Sequence, residues 1–178
     1  MPTAQDEAQN QRMKVSSLEA IFRALNKAEG RYLVVGGLAV IAHGYVRLTQ
    51  DLDLVLDLES TSLTRSLEAL ASLGYRPRVP VALTDFGNSE LRKDWFENRN
   101  MKVFNLVSDL FPDVVIDIFV NEPFSFEAEY AVSVWKEVAS EVGAYIVSVP
   151  ALIKLKLEAD RERDRTDIEK LRQLHPGI

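Results

Sequence analysis

A pair of glycines, Gly36-Gly37, followed thirteen residues later by Asp51-Leu52-Asp53, constrains this chain more than any other feature. The pair ends an apolar run, Tyr32 to Val35, which is short and β-branched enough for a buried strand. Glycines there remove side chains, so backbone N–H groups can approach a ligand closely. The apolar segment Leu38 to Ala42 predicts a short helix whose N-terminus faces the same spot, with Gly44 at its C-cap. Such a turn suits phosphate. The residues from Asp51 to Asp57 then alternate, with Leu52, Leu54 and Leu56 on one face of a strand and Asp51 and Asp53 on the other. Two carboxylates one strand repeat apart stand roughly 6.5 Å from each other at the backbone, at about 3.3 Å per residue, and repel unless a cation joins them. Mg²⁺ (or Mn²⁺) meets that need, because it takes one or two carboxylates together with waters and substrate phosphates. Separately, the glycines would be a turn and the acids a solvated strand face. Consecutive within one βαβ-sized segment, they favour a phosphate-and-metal site.

This pattern resembles the glycine-pair and Asp-x-Asp signature of the DNA polymerase β-like nucleotidyltransferase superfamily. The run from Gly36 to Leu54 is most similar to its minimal bacterial branch, which contains the AbiEii-type abortive-infection toxins. Many superfamily members carry Ser at the second position of the pair, and Gly37 leaves phosphate contact to backbone amides alone. The resemblance implies an α/β nucleotidyltransferase fold, a mixed twisted sheet of about five strands flanked by helices. It also implies a third carboxylate on a neighbouring strand, for which Asp117 in Asp113-Val-Val-Ile-Asp117-Ile-Phe-Val120 is the best match and Asp113 the rival. The tail Arg161-Glu-Arg163-Asp164-Arg-Thr-Asp167 resembles an Arg-x-Lys/Arg-Asp-x-x-Asp segment of the same branch, and Lys156 aligns with the helix lysine that precedes it.

Composition narrows the alternatives. With 178 residues, 47% hydrophobic, the chain can bury a sizeable core and defaults to one domain, read as 15–178 behind a flexible polar leader over 1–14. A net charge of −6 argues against broad electrostatic capture of nucleic acid. No cysteine is present, which removes disulfides, thiol nucleophiles and thiolate zinc sites, and the two histidines lack zinc-ligand spacing. Neither a secretory signal nor a membrane span is visible, so a soluble cytoplasmic protein with no membrane partner is expected.

Most of the remaining signals describe scaffold. Ser16 or Ser17 can cap a helix running to about Ala28, with Leu18, Ile21, Phe22 and Leu25 as its stripe. Ser60 or Thr61 can cap another, ending at Gly74. Tyr75 to Pro80 is too proline-broken for a central strand and reads as an edge or loop. Ser89 to Glu97 reads as a helix, its basic residues balanced by Glu90, Asp94 and Glu97, with Trp95 and Phe96 as core or loop anchors. Met101 to Val107 is a strand candidate. In the next, Val114, Ile116, Ile118 and Val120 share a face and Asp117 points away from it. Val132 to Val138 and Tyr145 to Val149 read as two β segments around Gly143, and Pro150 opens a helix.

Several residues near the signature carry two readings. Arg47 can reach a phosphate or pair with Asp57 or Glu59; Thr49 lies beside it; His43 suits capping or packing beside Gly44. Asp164 and Asp167 suit the start of a helix and are structural first. Lys156 either neutralises a triphosphate or pairs with Asp160 on the surface. Two functions follow. In the first, Asp51, Asp53 and Asp117 bind metal and catalyse transfer of an NMP group from an NTP to a hydroxyl of RNA (a tRNA end), a protein or a small molecule. Gly36, Gly37, Arg47, Thr49 and Lys156 then bind the nucleotide, and the toxin resemblance implies a cognate antitoxin or toxin protein as partner. In the second, the same fold is a non-catalytic nucleotide- or protein-binding regulatory module.

Overall fold

The strand that carries the acids is at the centre of the sheet because its other face is wholly apolar. In the computed structural model, which describes residues 13–178, β2 (Asp51–Leu56) lies between β1 (Tyr32–Val34) and β5 (Val115–Phe119). Leu52, Leu54, Ile116 and Ile118 are fully buried, each worth about 1.5–3 kcal/mol of apolar transfer. The leader expected over 1–14 lies, up to residue 12, outside the described residues.

Helix α1 (Val15–Lys27) precedes β1, and α2 (Gly36–Ala42) joins β1 to β2. Then follow α3 (Ser60–Ser72), β3 (Arg76–Pro77), a 3₁₀ turn (Leu83–Gly87), α4 (Ser89–Asn98) and β4 (Val103–Val107). After β5 come α5 (Phe126–Val132), the hairpin of β6 (Val134–Ala139) and β7 (Val142–Ile146), and finally α6 (Val149–Ala159) and α7 (Glu162–Leu174). The sheet is mixed, in the order β3-β4-β5-β2-β1-β7-β6. It has seven strands rather than five. The sheet's edges are β3, only two residues long within the proline-broken Tyr75 to Pro80, and β6, mostly exposed and overlapping the β segment read at Val132 to Val138.

Three local expectations change for identifiable reasons. Neither Ser16 nor Ser17 caps α1; the Lys14 N–H donates to Asp113 Oδ2 at 2.8 Å and Ser17 Oγ to Oδ1 at 3.0 Å, so a distant carboxylate closes the helix. At α3 the cap is Glu59, whose side chain accepts from the N–H groups of Thr61 and Ser62. The last sheet segment occupies Val142–Ile146, not Tyr145–Val149. Gly143 sits inside it because the Trp135 indole crosses its backbone: a Cβ there would lie 2.3 Å from Trp135 Cε2. Trp95 is a core anchor, stacked on Phe104 at 5.2 Å, and Pro150 stands in the first turn of α6 as expected. Among the described residues, no helix is long and apolar enough to cross a membrane.

Candidate active site

Strand pairing alone brings the acids together. β2 and β5 run parallel with Asp53 opposite Asp117, and β4 pairs on the far side of β5 with Asn105 opposite Asp117. Asn105 Nδ2 donates to Asp117 Oδ1. The rival Asp113 is spent on Lys14 and Ser17, away from this cluster. Burial, then the neighbouring Asp117 and Asp51, push the Asp53 carboxyl up to about 6, with the Gly37 N–H opposing. Burial is also the main cause that raises Asp117, against the Asn105 hydrogen bond.

The glycine pair is shaped by these acids. Gly36 has φ +62°, and a Cβ on it would lie 1.9 Å from Asp53 Oδ2. A Cβ on Gly37 would lie 2.4 Å from Thr49 Oγ1 and 3.1 Å from Arg47 Nη2. Both positions therefore exclude a side chain, one to seat Asp53 and the other to admit Thr49 and Arg47. Gly36, Gly37, Arg47, Thr49, Asp51, Asp53, Asp117 and Lys156 line one cleft of about 120 Å³. All eight residues singled out from sequence thus meet in one place.

The opposite wall comes from the last two helices. Lys156 on α6 is 4% exposed, with Nζ 3.0 Å from Asp164 Oδ1 and 2.7 Å from Asp167 Oδ2. It is neither a free cation nor a partner of Asp160. Asp167 also receives Arg47, from Nη2 at 2.9 Å to Oδ2, while Nε stands 2.8 Å from Oδ1 but out of line for a hydrogen bond. Arg47 therefore pairs with neither Asp57 nor Glu59; Asp57 is held by Arg31. Asp164 is wholly buried and takes Arg161 Nε at 2.7 Å. Burial raises its carboxyl, but the hydrogen bonds from Arg161 and Lys156 outweigh that and hold it at about 2. Asp164 does not cap α7 as its N-cap residue; that position is Arg161, whose N–H donates to Asp164. The result is a chain Arg47–Asp167–Lys156–Asp164–Arg161 with two arginines at its ends and the lysine buried at its middle.

Arg161 and Arg163, which also line the cleft, were visible in the tail motif but carried no role in the sequence reading. Asn105 had no signal at all, since its place depends on β4 register. His43 is structural: its Nε2 lies 2.7 Å from the Val147 carbonyl, and burial lowers its pKa.

Among the described residues, no three acidic, His or Cys side chains converge closely enough to cage an ion by themselves. The donor set fits a Mg²⁺ or Mn²⁺ that arrives with phosphates and keeps waters, since such an ion needs only one or two carboxylates from the protein. Two raised carboxyls with no ion-pair partner among the described residues match that demand.

No family model and no curated protein matches the sequence. Solved structures do match. A lincosamide antibiotic adenylyltransferase, LnuA, with lincomycin bound superposes with a TM-score of 0.60 at 16% identity, over 92% of this chain and 99% of that one. The antibiotic-resistance factor ANT(2'')-Ia in complex with adenylyl-2''-tobramycin superposes with a TM-score of 0.57 at 16% identity, over 89% of this chain and 87% of that one. Its solution structure gives 0.54 at 18% identity, over 89% and 82%. The fold of this chain is the nucleotidyltransferase fold.

Proposed function

We propose that the protein is a metal-dependent nucleotidyltransferase, moving an NMP group from an NTP to the hydroxyl of a small molecule. The observation that carries this reading is the in-register pair Asp53–Asp117 beside the Gly37 amide, facing a wall of cations across one cleft. Bound Mg²⁺ or Mn²⁺ would neutralise triphosphate charge and support in-line displacement at the α-phosphorus. Asp51 and Asp53 would hold the ion, and Asp117, opposite Asp53 in register, would accept the proton of the attacking hydroxyl. The acceptor oxygen bonds to phosphorus as the α–β bridging P–O bond breaks and pyrophosphate leaves. Arg47, Arg161 and Thr49 bind phosphate oxygens alongside Gly36 and Gly37. Lys156 donates to Asp164 and ion-pairs with Asp167, which leaves donor capacity for phosphate. The structural neighbours act on antibiotics, by their names, and support the small-molecule acceptor.

The test is Mg²⁺-dependent thermal stabilisation by each NTP. The wild type responds, and the double variant Asp51→Asn, Asp53→Asn does not, although it folds. A double variant that still responds like the wild type overturns the assignment. The sequence resemblance to AbiEii-type toxins supports a second reading, a cytoplasmic toxin controlled by an antitoxin and acting on tRNA or protein. Label from α-labelled NTP entering RNA or protein would favour it.

A further inference from the structure

A second cavity opens from the same carboxylates. It measures about 560 Å³ and shares Asp53, Asp117, Phe119, Leu155, Ala159 and Arg161 with the first. The two lie in sequence across the sheet. The smaller begins at the Gly36 turn beyond β1 and ends at the acids of β2 and β5; the larger continues over β5 to Val103 on β4 and to Phe96 on α4. In-line displacement places the attacking oxygen opposite the leaving pyrophosphate. With the triphosphate on the cationic wall of the smaller cleft, the attacking hydroxyl comes from the larger cavity.

Its lining identifies a chemistry. Phe96, Phe119, Val103, Pro123 and Leu155 give an apolar surface, and the volume falls within the roughly 300–1,000 Å³ of small-molecule pockets. Glu122, on the segment after β5, and Glu158, on α6, stand exposed at this cavity, and neither has an ion-pair partner among the described residues. Lys102 is the one unpaired cation on that lining among the described residues; Arg161 is ion-paired with Asp164 and belongs to the phosphate cleft. Two unpaired carboxylates beside an apolar floor repel a phosphodiester chain and attract an ammonium group.

We propose that this cavity is the acceptor site, and that its substrate is a small hydroxylated molecule carrying at least one protonated amine. The proposal rests on the nucleotidyl-transfer reading of the adjoining cleft. The experiment offers the wild-type protein Mg²⁺ and α-labelled NTPs with four acceptors: tobramycin, its per-N-acetylated derivative, a neutral disaccharide and total tRNA. Per-N-acetylation keeps the hydroxyls and removes the ammonium charge. Label enters tobramycin at least about tenfold more efficiently than its acetylated form, and the double variant Glu122→Gln, Glu158→Gln collapses that ratio toward one. Label entering tRNA, or charged and neutral acceptors equally, overturns the proposal. So does NTP-dependent stabilisation without labelling of any amine, an outcome that leaves the nucleotide site standing. Absence of any NTP response removes the nucleotide reading itself, and this inference with it.

Discussion

The two walls of the cleft handle charge in opposite ways. On the sheet, Asp53 and Asp117 are driven up by burial and by neighbouring acids, Asp117 and Asp51 for the first and Asp51 for the second, with a backbone amide and an Asn as their direct partners. On the helices, Asp164 and Asp167 are buried more deeply still, yet each is matched by Lys156 and an arginine, and Asp164 is held at about 2. Acids left uncompensated by the fold are capacity for a cation; acids compensated within it hold the cations of the opposite wall in place. Removing a charge therefore changes stability in opposite directions on the two walls.

The largest effect belongs to Lys156→Met. It leaves two buried carboxylates short of a partner and lowers unfolding free energy by about 3–5 kcal/mol in urea titrations. A change below about 1 kcal/mol would mean the helical wall is not compensated as described. Next, Gly36→Ala forces a Cβ into Asp53 at φ +62° and costs about 1–3 kcal/mol. It also displaces the carboxylate, so NTP-dependent stabilisation falls with it. An Ala variant with full NTP response would show that Asp53 does not depend on this seat.

Asp53→Asn has the opposite sign. With a carboxyl pushed up to about 6, the folded ligand-free protein binds a proton more readily than the unfolded chain, so Asp53 erodes stability as pH rises from about 4 to about 6. Asp164 behaves conversely, its contribution being present above about pH 4 and lost as pH falls toward about 2. Ligand-free stability therefore climbs from pH 2 to 4 and declines from 4 to 6. Asn at position 53 removes the decline and gains about 1–3 kcal/mol at pH 7, while abolishing transfer. A variant no more stable than the wild type at pH 7 would show that Asp53 is not strained without metal. The smallest effect is Lys154→Ala, an exposed lysine on the same helix as Lys156, within about 0.5 kcal/mol of wild type and with unaltered NTP binding.

The outline of the sheet wall was legible in the sequence because its parts are local. A glycine pair, a period-two strand and an apolar run around Asp117 each declare themselves within a few residues. The helical wall was only half legible. Lys156, Asp164 and Asp167 stood out as a motif, but whether the lysine faces water, Asp160 or the two acids depends on how α6 folds back on α7.

What the sequence determined by itself is what short-range sterics and hydrophobic alternation decide: the strand–turn–helix at Gly36-Gly37, the one-sided burial of β2 and β5, and the Pro150 helix start. The tertiary structure alone decided which groups meet across long separations. Register placed Asp117 opposite Asp53 and Asn105 beside it; packing paired Arg47 with Asp167 at a distance of 120 residues along the chain; and Asp113 became an anchor for α1 rather than part of the site. Whether Tyr75 to Pro80 is an edge strand or a loop also needed it, because an edge has one neighbour and a wet face, and the two residues of β3 leave little pattern; β6, by contrast, overlaps the β segment read at Val132 to Val138. Hydrophobic period reports which way a side chain points relative to its own element. It carries no information about the partner that waits there, and a buried charge is read correctly only once that partner is known.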